Sequence, residues 1–290
     1  MSKLTDQKYL RELLDRHGFR FSKAMGQNFL INPTVCPRMA EASGAADCAG
    51  ALEIGPEVGV LTWELAQAAP KVVAVELDRR LFPVLEETLA DCPNVELVEG
   101  DVLALDLADL LRERFPGGKV AVCANLPYYI TSPVIMTLLE SRLPLSAVTV
   151  MVQKEAARRL CAKPGERECG AVSASVWYHA VPEILFPVSR GSFVPAPNVD
   201  SAVIRLTLRD RPPAEVGNEE AFFALVRQGF AQRRKTVANS IAAGGKVPKA
   251  RVEQTLQELG LAPAARAEQL TLDEWAGLHR ALWETEEGSR

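Results

Sequence analysis

Positions 119–128 of the chain read Lys119-Val120-Ala121-Val122-Cys123-Ala124-Asn125-Leu126-Pro127-Tyr128. The first six residues form a short, Val-rich apolar run that Gly117-Gly118 precede. Such a run predicts a buried parallel strand that ends at Asn125, just before the rigid Pro127. In open α/β sheets, ligands bind outside the carboxyl ends of the strands. The four residues from Asn125 onwards therefore lie where a ligand is expected.

The tetrapeptide that follows this strand has the chemistry of a nucleobase site. Asn125 offers an amide with an acceptor and donors, and the carbonyl of Leu126 is held by Pro127. Tyr128 offers a flat ring. These groups suit a planar base with an exocyclic amine, because two acceptors take the amine hydrogens while the ring stacks on the base. Taken alone, the same residues also fit a strand-to-helix turn with a core tyrosine.

Composition describes a chain able to bury a large core. It has 290 residues, of which 48% are hydrophobic, and no run of 18 apolar residues. The polar start, residues 1–6, lacks the apolar core of a signal peptide. We expect a cytoplasmic protein with no membrane association. The six cysteines form no C-x-x-C pair and the three histidines are scattered, so we expect reduced thiols and no structural metal.

Basic residues are concentrated in two segments, although the net charge is −4. Neither segment 16–40 nor segment 221–252 contains an acidic residue. The basic residues are Arg16, Arg20, Lys23 and Arg38 in the first, and Arg227, Arg233, Arg234, Lys235, Lys246, Lys249 and Arg251 in the second. Local basic surfaces on an acidic body indicate a selective polyanion site. Two solvated helix faces would give the same pattern.

Hydrophobic periodicity predicts an α/β chain with a helical C-terminal part. We predict strands at 51–55, 72–76, 95–99, 119–125, 147–152, 181–188 and 202–208, which together form a Rossmann-like seven-stranded sheet. We predict helices at 5–16, 32–43, 60–69, 79–90, 132–141, 153–160 and 170–178, then at 218–231, 234–243, 248–259 and 271–284. Strand signals stop at Arg209-Asp210-Arg211-Pro212-Pro213. We therefore divide the chain into a domain at 1–209, with a helical and basic arm at 1–45, and a helical domain at 210–290.

Polar residues end four consecutive predicted strands. These tips carry Glu53 with Gly55, then Glu76, Asp101 and Asn125. Glu76 follows the Gly55 turn by 21 residues, which is the spacing at which a Rossmann-type half places an acid for ribose hydroxyls.

Two cofactor classes fit a glycine turn followed by an acid. A dinucleotide needs G-x-G-x-x-G, but positions 55, 57 and 60 are Gly, Glu and Val. S-adenosylmethionine fits better, because it has no pyrophosphate that the backbone must approach. In this interpretation Glu76 holds the ribose, Asp101 the adenine amine, and the Gly55 turn the methionine moiety.

The ordered set of motifs resembles the small-subunit ribosomal RNA adenine dimethyltransferases, the KsgA family, almost from end to end. The matching blocks are Gly26-Gln27-Asn28-Phe29-Leu30, Glu53-Ile54-Gly55-Pro56, Val75-Glu76-Leu77-Asp78, Glu99-Gly100-Asp101, Asn125-Leu126-Pro127-Tyr128, Gln153-Lys154-Glu155, Pro195-x-Pro197-x-Val199-Asp200-Ser201 and Phe230-x-Gln232-Arg233-Arg234-Lys235-Thr236. The resemblance implies a methyltransferase sheet followed by a helical domain that binds RNA.

The resemblance also implies site residues. The cofactor S-adenosylmethionine would be bound by Asn28, Leu30, Gly55, Glu76, Asp101 and Asn125. The target adenine would lie against the catalytic residues Asn125, Leu126 and Tyr128, with Phe193 as the opposite stacking face. The family normally has Gly where this chain has Glu57. That side chain either crowds the methionine end of the cofactor or meets its ammonium group.

The implied activity is methyl transfer to N6 of two adjacent adenosines in the 3′-terminal hairpin of small-subunit ribosomal RNA, giving dimethyladenosine. The implied setting is an assembling 30S subunit, and we expect a monomer. Two alternatives remain: a ribosome-assembly binding factor whose catalysis is secondary, and an adenine-N6 methyltransferase of large-subunit RNA or of DNA.

Overall fold

The computed structural model describes residues 3–20 and 27–284. Its helices are α1 (Gln7–Arg16), α2 (Val35–Ser43), α3 (Val60–Ala68), α4 (Phe82–Thr88), α5 (Leu107–Arg114), α6 (Thr131–Glu140), α7 (Lys154–Cys161), α8 (Ala171–His179), α9 (Glu219–Phe230), α10 (Val237–Ala243), α11 (Lys249–Glu258) and α12 (Leu272–His279). Its strands are β1 (Phe29–Leu30), β2 (Gly50–Ile54), β3 (Val72–Glu76), β4 (Val95–Glu99), β5 (Val120–Asn125), β6 (Leu145–Gln153), β7 (Ala180–Val188), β8 (Phe193–Val194) and β9 (Ser201–Leu208). Lys23 and Gly26, which belong to the predicted basic arm and to the first motif, lie outside the described residues.

Within the described residues, seven strands form one sheet in the order β4-β3-β2-β5-β6-β9-β7, which confirms the predicted Rossmann-like α/β fold. The pairs from β4 to β6 are parallel, and β9 runs antiparallel to β6. After β2 the chain builds outwards through β3 and β4, then returns to place β5 on the other side of β2. The strand order therefore reverses between β2 and β5, and such a switch point is where α/β sheets bind ligands.

The central strands are buried because helices cover a parallel sheet on both faces. All five residues of β2 and of β3 are buried, as are residues 120–124 of β5. β1 and β8 pair separately as a short antiparallel ribbon, in which Leu30 lies opposite Phe193.

The described residues group into two compact units. The first comprises those within Met1–Ala157 and Val181–Leu208, and the second those within Arg158–Ala180 and Arg209–Arg290. The expected boundary at residue 209 falls one residue from the observed start of the C-terminal part of the second unit. The structure also assigns α8 to that unit, where Tyr178 packs against Phe222 and Phe223 of α9.

Helix ends follow local capping chemistry. The Thr271 hydroxyl and the Glu274 carboxylate form the capping box that starts α12, as the sequence predicts. α10 begins at Val237 rather than at residue 234, because the Thr236 hydroxyl accepts a hydrogen bond from the Asn239 N–H and caps the helix there. α2 begins at Val35 rather than next to Asn32, whose side-chain oxygen instead accepts from the Thr34 N–H.

Within the described ranges, no helix has both the length and the apolar character needed to cross a bilayer.

Candidate active site

A cavity opens at the carboxyl ends of β2, β3, β4 and β5, with about 660 Å³ of empty space when its open mouth is included. Its polar lining comes from Gln27, Glu57, Glu76, Asp101 and Asn125. Its apolar lining includes Ile54, Val75, Leu77, Leu81, Val102, Leu126, Pro127, Tyr129 and Ile130. Carboxylates and an amide surrounded by apolar side chains are the lining expected for a nucleoside, which combines a flat apolar base with a hydroxyl-bearing sugar.

The turn after β2 brings the backbone to the edge of this cavity. Gly55 has φ +71°, which glycine adopts without strain, and its N–H donates to the Val75 carbonyl at 2.9 Å. Gly59 has φ +87°, and a Cβ there would lie 3.1 Å from the side chains of Leu89 and Thr88. The two glycines therefore allow a tight path from β2 into α3.

Glu76 ends β3 with its carboxylate held by backbone donors. The Asp78 N–H donates to Oε1 at 2.8 Å and the Glu57 N–H donates to Oε2 at 3.3 Å. Burial raises the pKa of Glu76, while these backbone hydrogen bonds act in the opposite direction. Each oxygen keeps further lone pairs, so the fixed carboxylate can also accept from a sugar hydroxyl.

Hydrogen bonds through Asp78 link Glu76 to the segment that precedes β1. Asp78 accepts from the Gln27 amide at 3.0 Å and pairs with the Arg80 guanidinium. The hydrogen bonds from Arg80 lower the pKa of Asp78. These contacts fix Gln27 at the cavity wall. Gln27 was not predicted as a site residue.

Asp101 follows β4 in a tight turn. Its Oδ1 accepts from the Leu103 N–H at 2.9 Å, and the Gly100 N–H before it donates to the Glu76 carbonyl at 3.0 Å. The side chain is exposed at the rim of the cavity. An exposed carboxylate there is a suitable acceptor for an exocyclic amine.

A second cavity, with about 230 Å³ of empty space when its open mouth is included, is lined by Asn28, Glu57, Asn125, Leu126, Pro127, Tyr128 and Phe193. Glu57, Asn125, Leu126 and Pro127 line the larger cavity as well. The two cavities therefore adjoin at the end of β5, and the shared residues form the wall between them.

Two aromatic rings line this smaller cavity. The Tyr128 hydroxyl lies 2.8 Å from the Ser201 hydroxyl at the start of β9. Burial raises the pKa of Tyr128, and the bond with Ser201 opposes this shift. Phe193 is buried in β8. Rings from two separate segments, one after β5 and one in the ribbon, thus contribute to one small cavity.

The structure brings most of the predicted site residues together. Gly55, Glu76, Asp101 and Asn125 line the larger cavity, and Asn28 lines the smaller one with the predicted catalytic residues Asn125, Leu126, Tyr128 and Phe193. Leu30 lines neither cavity and lies in the hydrophobic core, so its predicted contact with the cofactor stays a prediction.

Glu53 does not belong to the polar row predicted along the strand tips. It is 1% exposed within β2, opposite Cys123, and it lines neither cavity. Its Oε2 has no hydrogen-bond partner among the described residues. Burial, with the nearby Glu76 charge, raises the pKa of Glu53 to about 8.

Several lining residues were not singled out from the sequence. Leu77 and Tyr129 line the larger cavity although they are 54% and 62% exposed. Both directly follow a residue that was singled out, Glu76 or Tyr128. Their position directly after predicted site residues was the signal available in the sequence.

The larger cavity fits an adenosyl cofactor. Its rim supplies a fixed carboxylate at Glu76, an exposed carboxylate at Asp101 and apolar surface between them. The acids suit sugar hydroxyls and an amine, and none of the described residues lining either cavity is basic. Carboxylates within an apolar lining suit an uncharged or cationic nucleoside.

A family model described as ribosomal RNA adenine dimethylase matches residues 18–282 of the chain. Among curated proteins, the chain is 46% identical over 276 residues to the ribosomal RNA small subunit methyltransferase A of Geobacillus sp. (strain WCH70), covering 94% of this chain and 95% of that protein. It is also 46% identical over 276 residues to the protein of the same name from Shouchella clausii (strain KSM-K16), with coverage of 94% and 93%.

Two solved structures extend the comparison. A dimethyladenosine transferase from Plasmodium falciparum superposes with a TM-score of 0.71 at 25% identity, covering 89% of this chain and 98% of that one. The 23S rRNA methyltransferase ErmE superposes with a TM-score of 0.69 at 30% identity, covering 88% and 99%.

Proposed function

The chain belongs to the ribosomal RNA adenine dimethylase family, and from this premise we propose that it transfers methyl groups from S-adenosylmethionine to N6 of adenosines in small-subunit ribosomal RNA. In its full form the proposal is double methylation of two adjacent adenosines in the 3′-terminal hairpin. The observation that supports it most is the pair of adjoining cavities that share Asn125 and Leu126.

The larger cavity is assigned to the cofactor. Glu76 would accept hydrogen bonds from the ribose hydroxyls, Asp101 would accept from the adenine amine, and the Gly55 turn would receive the methionine moiety. When bound, S-adenosylmethionine supplies an activated methyl group, so the protein needs mainly to align the two reactants.

The smaller cavity is assigned to the target adenine. The Asn125 side-chain oxygen and the Leu126 carbonyl would accept the two hydrogens of the exocyclic amine. These hydrogen bonds favour a pyramidal nitrogen whose lone pair is free to attack. Tyr128 and Phe193 would stack on the base, which contributes about 1 to 3 kcal/mol and offsets part of the cost of unstacking it from the RNA.

Sequence identity to known proteins favours small-subunit RNA over large-subunit RNA as the substrate. The relatives named for the small subunit are 46% identical over nearly the whole chain, whereas the 23S rRNA methyltransferase ErmE is 30% identical. The large-subunit activity is therefore the weaker candidate.

The exposed turn before α10 is the proposed contact for the RNA backbone, and residues 210–290 form the proposed RNA-binding domain. Arg233, Arg234 and Lys235 are all exposed in this turn. In the N-terminal basic segment, Arg16 pairs with Glu87 and Arg38 lies over the Phe186 ring at 3.7 Å. Phosphate contacts of this kind position the substrate, while the base pocket selects the target.

We further propose that the monomeric protein acts on an assembling 30S subunit. The alternative is a binding factor whose main role is in assembly, with catalysis secondary. An Asn125→Ala variant that restores assembly in cells without restoring methylation would favour that alternative.

Transfer of labelled methyl groups to small subunits isolated from a strain that lacks the modification tests the proposal. We expect label in dimethyladenosine near the 3′ end of the small-subunit RNA, located by nuclease digestion and mass spectrometry, and roughly 10²- to 10³-fold slower labelling with Asn125→Ala. Large subunits and DNA serve as parallel substrates. Label in either of these, and none in the small subunit, would contradict the proposal.

A further inference from the structure

Glu57 is placed at the wall that the two cavities share. It lies in the turn between β2 and α3 with φ +57°, a conformation that residues with a Cβ seldom adopt. Its N–H donates to Glu76 Oε2 at 3.3 Å, and its Oε1 accepts from the Asn125 amide at 3.4 Å. The side chain is thus connected both to the proposed ribose ligand and to the proposed target-base residue.

The surroundings of Glu57 contain an excess of negative charge. Burial raises the pKa of Glu57 well above its usual value and the Glu76 charge raises it further, while the hydrogen bond from Asn125 acts in the opposite direction. Within the described residues that line the two cavities there is no Lys, Arg or His. A partly buried carboxylate with no cation beside it is unfavourable in its ionised form, so a cationic ligand would stabilise that form.

The proposed function identifies which part of the cofactor would approach this residue, and the inference rests on that function. With the adenine at Asp101 and the ribose at Glu76, the methionyl end would extend towards the wall shared with the target cavity, where Glu57 lies. That end carries two positive charges, on the sulfonium and on the ammonium group, and one negative charge, on the carboxylate, so its net charge is positive. The bond from Asn125 uses the Oε1 atom of Glu57, so the carboxylate retains acceptor capacity.

We propose that the Glu57 carboxylate binds a cationic group at the methionyl end of the cofactor and makes this site selective for adenosyl ligands that carry such a group over those that carry none. Glu57 is then a specificity-determining residue of the cofactor site, in addition to the carboxylates that hold the ribose and the adenine. The opposite effect, steric crowding of the methionyl end by the same side chain, is the competing possibility.

Isothermal titration calorimetry with the full-length protein and three probes tests this assignment. S-adenosylmethionine carries both cations, S-adenosylhomocysteine carries the ammonium only, and 5′-methylthioadenosine carries neither. For Glu57→Gln we expect the affinity for S-adenosylmethionine to fall about tenfold, which is typical of losing a hydrogen bond to a charged group. The affinity for 5′-methylthioadenosine should stay within about twofold.

S-adenosylhomocysteine separates the two cationic groups. An equal loss for both charged ligands identifies the ammonium as the partner, and a loss for S-adenosylmethionine alone identifies the sulfonium. Glu64→Gln is the matched control, because Glu64 is a partly buried carboxylate on α3 that lines neither cavity. It should leave all three affinities unchanged.

Glu57→Gly is a second variant that is expected to fold, because glycine adopts φ +57° without strain. It should reproduce the ligand pattern of Glu57→Gln, with a melting temperature no lower than that of the wild type. Tighter binding of S-adenosylmethionine by Glu57→Gly would indicate crowding and overturn the proposal. Equal changes in affinity for all three ligands, or no change for any of them, would also overturn the proposal. Failure of the wild type to bind S-adenosylmethionine at all would instead overturn the proposed function.

Discussion

The Tyr128 hydroxyl and the Ser201 hydroxyl lie 2.8 Å apart, which joins the turn after β5 to the first residue of β9. The two residues are 73 positions apart in the chain. This bond fixes the tyrosine side chain at the wall of the smaller cavity, so the ring is oriented before any base arrives.

Two substitutions at Tyr128 separate the contribution of its hydrogen bond to Ser201 from that of its stacking ring. Tyr128→Phe keeps the ring but loses the hydrogen bond, and we expect kcat to fall only a few-fold. Tyr128→Ala also loses the stacking surface, and methyl transfer should fall roughly 10- to 100-fold. Ser201→Ala is the matched control and should resemble Tyr128→Phe. Single-turnover transfer to small subunits measures all three, and wild-type rates in Tyr128→Ala would rule out the stacking role.

Asn125 is expected to act on the target more than on the cofactor. Asn125→Ala removes an acceptor for the adenine amine and should lower transfer roughly 10²- to 10³-fold, by analogy with the loss of one aligned hydrogen-bonding group in other active sites. Cofactor affinity, measured by calorimetry, should fall much less, because Glu76 and Asp101 remain. A variant with undiminished turnover would be incompatible with the assigned role.

Asp101 should recognise the adenine of the cofactor whatever the charge at the other end. Asp101→Asn replaces an acceptor oxygen by a donor amide facing the adenine amine, and we expect about tenfold weaker binding. The loss should be the same for S-adenosylmethionine and 5′-methylthioadenosine, unlike the loss expected for Glu57→Gln. Unequal losses would show that Asp101 senses the charged end instead.

The exposed basic turn should control the salt dependence of RNA binding. Replacing Arg233, Arg234 and Lys235 by Ala should reduce the slope of log affinity against log salt by roughly 0.7 to 0.9 for each phosphate that the variant no longer neutralises. Arg112→Ala, an exposed arginine on α5, is the control. Filter-binding titrations between low and moderate salt give the slopes. An unchanged slope in the triple variant would place the RNA surface elsewhere.

Glu53 should make stability depend on pH. Its pKa is about 8 in the folded protein, against 4.5 for an unperturbed glutamate, so the folded state holds the proton longer than the unfolded state. The free energy of unfolding therefore decreases as pH rises through this window, and Glu53→Gln should lack that part of the decrease. Urea denaturation of both proteins at pH 5 and pH 8 measures it. Parallel pH dependence in the two proteins would show that Glu53 is ionised when buried.

The sequence predicted the parts of the fold that depend on local patterns. Strands rich in Val, such as β3 and β5, and the capping box of α12 are short-range signals, and they occur where expected. Helix α5 was missed, although Asp106 caps it. Helices α2 and α10 begin later than predicted. Several neighbouring residues could cap each helix, and the sequence alone does not show which of them does.

The site was predicted less completely than the fold. Gly55, Glu76, Asp101 and Asn125 follow from their positions at the strand ends, and the structure places all four at one cavity. Glu53 was wrongly assigned to the strand tips. Side chains alternate between the two faces of a strand, and the position of a residue relative to the turn decides whether its side chain reaches the edge of the sheet. Glu57 was noticed only as a departure from a glycine.

The sequence by itself determined the α/β sheet, the polar strand tips and the family of this protein, because these depend on residue order and on short-range patterns. Only the tertiary structure decided that Glu57 contacts both Glu76 and Asn125, and that the tips of β2 and β5 form one wall between two cavities. Those relationships arise from the reversal of strand order, which places β5 beside β2 although β3 and β4 intervene in the chain.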